Sequence, residues 1–324
     1  MGALMRRVKG FMQRSSLYAW VLAAAYACGS DGAAPGAACE PGAGVRLTSL
    51  RGHLAFIANG QLGAVCPDGS DLRAALGAVV DTARIFHFDV SPDGTKMLVS
   101  YPQSSGNFDL LDVASGTTTA FSLPPSDPPQ HYGATWSPDG GRIAYAIGFG
   151  DQIIIGDVVG ASAANVRTLV NFDSLAPPAP QLGHLDWSPD GSSIASNEGT
   201  SAILAVDPTN GAVAHLDTRI GLVSQPAWSP DSRQLAFVMG ADCCSPGVTS
   251  AVWLMNADAS DPGGLVSSEF PSVLASPTWS PDGKQIVFIR GGDLWIMPAT
   301  ATGETPRELA HITRPGARQV QWVP

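Results

Sequence analysis

Charged residues make up only 14% of this 324-residue chain, and aromatic residues 7%. It has no G-x-S-x-G elbow, no H-E-x-x-H pair, no P-loop, no Rossmann glycine pattern and no EF-hand-like D-x-D-x-D-G run. The sequence therefore offers no motif for a serine hydrolase, a zinc peptidase, a nucleotide-binding enzyme or a calcium hand. Base is also scarce. Of 18 Lys and Arg residues, Arg6, Arg7, Lys9 and Arg14 precede position 15, and no acid occurs before Asp31. The remainder carries 14 basic against 28 acidic residues. Such a globule repels phosphate backbones and anionic lipid surfaces, so nucleic acid is not an expected partner. Glycine (36) and proline (26) are plentiful. That balance suits many short strands joined by turns better than long helices.

The N-terminus reads as an export signal over residues 1–27. A basic stretch is followed by the apolar run 17–27, too short to span a bilayer comfortably, and by small residues. Ala25-Tyr26-Ala27 fits ordinary signal cleavage, and Ala27-Cys28-Gly29 resembles a bacterial lipobox in which Cys28 carries lipid. Residues 28–45 then read as a flexible tether. The five cysteines are Cys28, Cys39, Cys66, Cys243 and Cys244. With Cys28 lipidated, four remain, and they allow three disulfide connectivities. A thiol metal cluster lacks a second C-x-x-C or a nearby His.

An internal repeat decides the fold. It runs Phe88-Asp-Val-Ser-Pro-Asp-Gly94, Ala134-Thr-Trp-Ser-Pro-Asp-Gly140, Leu185-Asp-Trp-Ser-Pro-Asp-Gly191, Pro226-Ala-Trp-Ser-Pro-Asp-Ser232 and Pro277-Thr-Trp-Ser-Pro-Asp-Gly283. The anchors Val90, Trp136, Trp187, Trp228 and Trp279 are spaced 46, 51, 41 and 51 residues apart, and Trp322 follows 43 later. An apolar strand follows each turn, then a third strand and a weaker fourth. A period of 40–50 residues with four short strands describes a propeller blade. Pro presets φ, and Asp-Gly supplies the turn hydrogen bond and the φ > 0 position. Ser232 replaces that glycine once, which predicts a strained or different turn. The Trp is expected to wedge between blades. The recurring Asp93, Asp139, Asp190, Asp231 and Asp282 read as turn residues and not as a carboxylate cluster.

The chain stops just after Trp322, with one inner strand and nothing further, while residues 53–77 offer a second, third and fourth strand with no motif before them. The two fragments fit as one composite blade, so the sequence predicts an all-β, six-bladed propeller of four-stranded antiparallel blades over 46–324, closed by its last strand.

These repeats resemble the TolB-type propeller repeats of bacterial periplasmic proteins, over roughly 45–324. Similar units form the propellers of prolyl oligopeptidase-like enzymes. The resemblance implies the fold; propellers host binding, scaffolding and catalysis alike. TolB proteins carry an α/β domain before the propeller, where this sequence offers only about 20 linker-like residues, and no hydrolase domain follows.

The candidate site is a ring three residues before each anchor: His87, Gly133, His184, Gln225, Ser276 and Gln319, with His131 and Tyr132 nearby. These should line one mouth of the central channel, as a ligand- or peptide-binding surface. Alternatively, they are polar only because the channel holds water. Two histidines two blades apart do not make a metal site, and no metal, cofactor or catalytic residue is expected. The Pro-rich loops 123–130 and 172–180 and the insertion 241–249 are expected to border the same mouth. The functional expectation is a monomeric, non-enzymatic binding or scaffold protein of the cell envelope, periplasmic and lipid-anchored, with a protein or peptide partner. The alternative is a propeller enzyme, lyase- or hydrolase-like, with its site in the channel mouth.

Overall fold

The computed structural model describes residues 49–58, 61–73, 85, 87–101, 108–124, 131–147, 152–172, 182–197, 202–218, 221–240, 249–269, 272–300, 306–311 and 316–323. The signal and tether, Cys28, Cys39, Cys243, Cys244, most of the two Pro-rich loops and nearly all of the 241–249 insertion lie outside them.

Among the described residues, twenty-three strands form six antiparallel sheets. The chain enters with β1 (Leu54–Ala58) and β2 (Gln61–Val65). Blade 1 follows as β3 (His87–Val90), β4 (Lys96–Ser100), β5 (Phe108–Asp112) and β6 (Thr118–Phe121). Blade 2 is β7 (His131–Trp136), β8 (Arg142–Ile147), β9 (Gln152–Val159) and β10 (Ser162–Asn171). Blade 3 is β11 (Leu185–Trp187), β12 (Ile194–Asn197), β13 (Ala202–Val206) and β14 (Val213–Asp217). Blade 4 is β15 (Val223–Trp228), β16 (Gln234–Met239), β17 (Thr249–Asn256) and β18 (Gly263–Glu269). Blade 5 is β19 (Leu274–Trp279), β20 (Gln285–Arg290), β21 (Asp293–Pro298) and β22 (Arg307–Ala310). The last strand, β23 (Ala317–Trp322), pairs with β1, Phe56 opposite Val320, and gives the sheet order β2-β1-β23. The composite sixth blade thus closes the ring as the truncated repeat predicts. Its fourth strand is reduced, among the described residues, to a bridge between Ala64 and Arg73.

The core is divided among the blade interfaces. Each of six apolar clusters joins two neighbouring blades. The anchors sit in them as wedges: Trp136 between blades 1 and 2, Trp187 between 2 and 3, Trp228 between 3 and 4, and Trp279 between 4 and 5, each 5–8% exposed. Val90 does the same against the closing blade. Because both faces of a blade are covered, the second strands are buried almost continuously instead of alternating, while β6 and β10 face solvent.

The turn motif forms a closed hydrogen-bonded unit. In every copy the Ser hydroxyl donates to the Asp carboxylate and accepts from the backbone N–H five residues on. The Asp accepts a second N–H two residues on. The serine hydroxyl, followed by that N–H, holds Asp139 and Asp231 below the usual carboxylate range. These aspartates therefore are turn residues. Ser232 makes the same turn as the glycines, at φ +60 against +70 for Gly140. Its Oγ accepts the backbone N–H of Asp190 in the neighbouring blade at 3.0 Å, which offsets the left-handed strain.

Cys66 is buried and disulfide-bonded. All four other cysteines lie outside the described residues, so its partner does too.

Candidate functional site

Each blade's inner strand is a sheet edge, and its outward N–H groups need acceptors that the blade itself cannot supply. The neighbouring blade supplies them from the position just before each anchor. Trp136 N donates to Asp89 Oδ2 at 2.7 Å, Trp187 N to Thr135 Oγ1 at 3.3 Å and Trp228 N to Asp186 Oδ2 at 2.6 Å. Trp322 N donates to Thr278 Oγ1 at 3.0 Å and Val90 N to Gln321 Oε1 at 3.1 Å. Only Ala227 has no side-chain acceptor to offer. There the Trp279 indole instead donates to the Ala227 carbonyl at 3.0 Å.

The ring three residues before the anchors also joins blades. Gln319 brackets Phe88, accepting its N–H at 3.1 Å and donating to its carbonyl at 2.8 Å. Ser276 Oγ donates to Val320 O and accepts from Val320 N, both at 3.0 Å, and Gln225 Oε1 accepts from Ser276 N at 2.8 Å. Gly133, Gln225 and Ser276 all have positive φ and sit at breaks in strand register. In β15 and β19 the next residue is proline, Pro226 or Pro277, which cannot donate to the ladder, so a bulge forms. His87 and His184 do meet across the channel, ring to ring at 5.0 Å and edge-on. His131 and Tyr132 pair through the backbone with Ile147 and Ala146; their side chains lie outside the described atoms.

Two connected spaces occupy the channel. At the ring end is a neck of about 40 Å³ lined by His87, His184, Ser276 and Gln319. At the opposite end a funnel of about 400 Å³ opens, within the range of small-ligand pockets. Its wall is the repeat itself: all five tryptophan anchors, Val90, and Pro92, Pro138, Pro189, Pro230 and Pro281. Asp89, Asp186, Ala227, Thr278 and Gln321 line both spaces and so form the floor of the funnel and the roof of the neck.

The floor is electrostatically unusual. Burial raises Asp89 to about 7 against the hydrogen bonds it accepts. Burial, with a contribution from the Asp89 charge, raises Asp186 to about 7 as well. Burial lowers His184 to about 4, and burial followed by repulsion from His184 holds His87 well below its usual value. Both imidazoles are therefore neutral at pH 7 and cannot balance the carboxylates. Among the described residues, no Lys or Arg lines funnel or neck. Arg142 stacks over Trp187, its guanidinium carbon 5.1 Å from the ring centre, outside the lining.

The floor residues were not singled out from the sequence. The signal was present: at one fixed offset in the repeat stand Asp89, Thr135, Asp186, Ala227, Thr278 and Gln321, and five of the six can accept a hydrogen bond. Elsewhere, two groups of potential metal ligands come together among the described residues. In His53, Cys66 and Asp71 the thiol is committed to the disulfide, and Asp293, Glu308 and His311 lie on blade 5 away from the channel.

The fold and site define a six-bladed propeller latched by its C-terminal strand, with a tryptophan-walled funnel over a paired-carboxylate floor. The solved structures it resembles include TolB from Acinetobacter baumannii (18% identity, 84% of this chain and 67% of that one, TM-score 0.60). A TolB-type protein from Agrobacterium tumefaciens is similar too (18% identity, 79% of this chain and 87% of that one, TM-score 0.56). The chain matches no protein-family model and no curated protein.

Proposed function

We propose that the protein is a non-enzymatic binding or scaffold protein of the cell envelope, with the channel funnel as its recessed binding surface. The observation that carries this reading is the funnel: about 400 Å³, aromatic-walled, and with no nucleophile–base pair among the described residues of its lining. Of the expected ring, His87, His184, Ser276 and Gln319 line the neck at the other end of the channel, and the Gln225, Ser276 and Gln319 side chains link blades; a partner contact by this ring, with His131 and Tyr132, is part of the proposal. Export is supported by the signal-like residues 1–27 and by the Cys66 disulfide, which favours an oxidising compartment. Lipid on Cys28 would tether the propeller to a membrane on the periplasmic side. The enzyme alternative calls for a convergent His and Arg set, and the described channel lining holds two neutral histidines without an arginine.

Affinity capture of the mature chain from envelope extracts tests this, and a specific envelope partner is the expected outcome. Failure to enrich any partner, together with turnover of acidic oligosaccharides to ultraviolet-absorbing products, would replace it with the enzyme reading.

A further inference from the structure

The two acidic floor residues occupy equivalent positions in the repeat but differ in what they touch. Asp89 is saturated. Its Oδ1 accepts from Val90 N at 3.0 Å and Gln321 Nε2 at 2.7 Å, its Oδ2 accepts from Trp136 N, and the Thr135 hydroxyl adds a further bond. Asp186 accepts only the Trp228 N–H, through Oδ2. Its neighbour in the floor is Ala227, the one floor position with no polar side chain, and no hydrogen bond reaches Oδ1 although Asp186 lines both funnel and neck. His87, which lines the neck, is buried and its Nε2 has no hydrogen-bond partner.

We propose that the funnel binds an organic cation, an alkyl-ammonium group whose head is received by Asp186 and whose methylene stem lies against the tryptophan and proline wall. Three observations converge on that chemistry. The free carboxylate oxygen supplies an acceptor. Among the described residues, the lining holds no basic side chain to compete for it. The wall, where Trp136, Trp187, Trp228, Trp279 and Trp322 reach the funnel, gives apolar contact for a methylene stem. Asp89, fully engaged in joining blades, is structural. The carboxylate of Asp186 shares the channel with Asp89 and His87 of blade 1 and with His184 of its own blade, and ionises near neutrality. Binding a cation therefore draws a proton off it, and affinity should rise from pH 6 to pH 8 while a lysine ammonium stays charged throughout. The same chemistry is offered by a free amine and by a lysine side chain of a protein.

The test is calorimetric titration of the full chain with acetyl-lysine-methylamide, its norleucine isostere and cadaverine. Expected is saturable binding of the lysine derivative, at least tenfold tighter than norleucine, with affinity increasing from pH 6 to 8. Asp186→Asn, which keeps the acceptor for Trp228 N, should weaken it at least tenfold, and the pH dependence in the unaltered chain provides a readout that needs no variant. Cadaverine binding more tightly than the capped lysine supports a free amine as occupant; the reverse supports a lysine-bearing protein. Equal binding of lysine and norleucine, or affinity unchanged across both pH and Asp186→Asn, overturns the proposal. The inference rests on the funnel being a binding surface. A partner captured equally by the wild-type and Asp186→Asn chains overturns the cation assignment and leaves the binding reading standing.

Discussion

Gln319 tests the closure of the ring most directly. Its side-chain amide satisfies both backbone groups of Phe88, a fully buried residue of blade 1, from the last strand of the chain. Changing Gln319 to Ala leaves a buried N–H and a buried carbonyl without partners at the seam. Each unsatisfied group costs about 1–3 kcal/mol. Some relief from water entering the neck puts the loss for Gln319→Ala at about 2–4 kcal/mol. Gln321 accepts from Val90 N and donates to Asp89, whose carboxylate keeps other donors. Gln321→Ala should therefore cost less, about 1–2 kcal/mol. The exposed Gln61 serves as a control, within about 0.5 kcal/mol of wild type. Urea denaturation followed by tryptophan fluorescence and far-ultraviolet circular dichroism, with coincident transitions, gives these differences. Removing 317–324 takes away the whole latch, with buried Val320 and Val323, and should abolish the cooperative transition. If Gln319→Ala behaves like the Gln61 control, the seam is not held by side-chain bonds and the reasoning fails.

The remaining predictions concern anchors, turns and the channel floor. Trp136→Ala should cost about 3–5 kcal/mol in denaturant midpoint measurements. Trp136→Phe should cost much less than Trp279→Phe, because the Trp136 indole N–H is unpartnered while that of Trp279 bonds to Ala227 O. Gly94 and Gly140 share φ +70, but a Cβ at Gly94 would lie 2.6 Å from Ser49 Oγ and 2.8 Å from Arg51 N, whereas the nearest atom to one at Gly140 is 3.8 Å away. Gly140→Ala should thus cost about 1–2 kcal/mol from backbone strain alone, and Gly94→Ala clearly more. Asp186 and Asp89 bind protons more tightly folded than unfolded, so their contribution is fully present below about pH 4 and is lost as pH rises through about 7. His87 and His184, held neutral, act in the opposite sense below about 6.5, so the wild-type profile should be nearly flat from pH 5 to 6 and fall above that. At about 1.4 kcal/mol per tenfold in proton affinity, Asp186→Asn should gain at most about 4 kcal/mol on wild type between pH 4 and pH 8. Melting curves of both proteins across that range decide it, and parallel profiles would contradict the burial of Asp186.

The repeat made the architecture legible because turn chemistry is local. Ser, Pro, Asp and Gly build the same hairpin wherever they occur in order, and a 40–50-residue period admits few folds. The partial copy at Trp322 carried the blade count and the closure in the same way. The polar ring was legible as a set of positions but not as a set of roles. Gln225, Ser276 and Gln319 needed their neighbours' unpaired backbone groups to be located before their side chains could be understood as links between blades.

The reach of each level follows from the range of the interactions. Sequence alone determined the strands and turns, which depend on residues a few positions apart, and the six-bladed ring, which follows from counting the repeats. Only the tertiary structure decided that the tryptophan wedges also wall a funnel, that Asp89 is saturated while Asp186 Oδ1 has no hydrogen bond, and that Ala227 alone offers the floor no side-chain acceptor. Those properties arise between strands 40 or more residues apart, where the edge of one blade must be satisfied by the next.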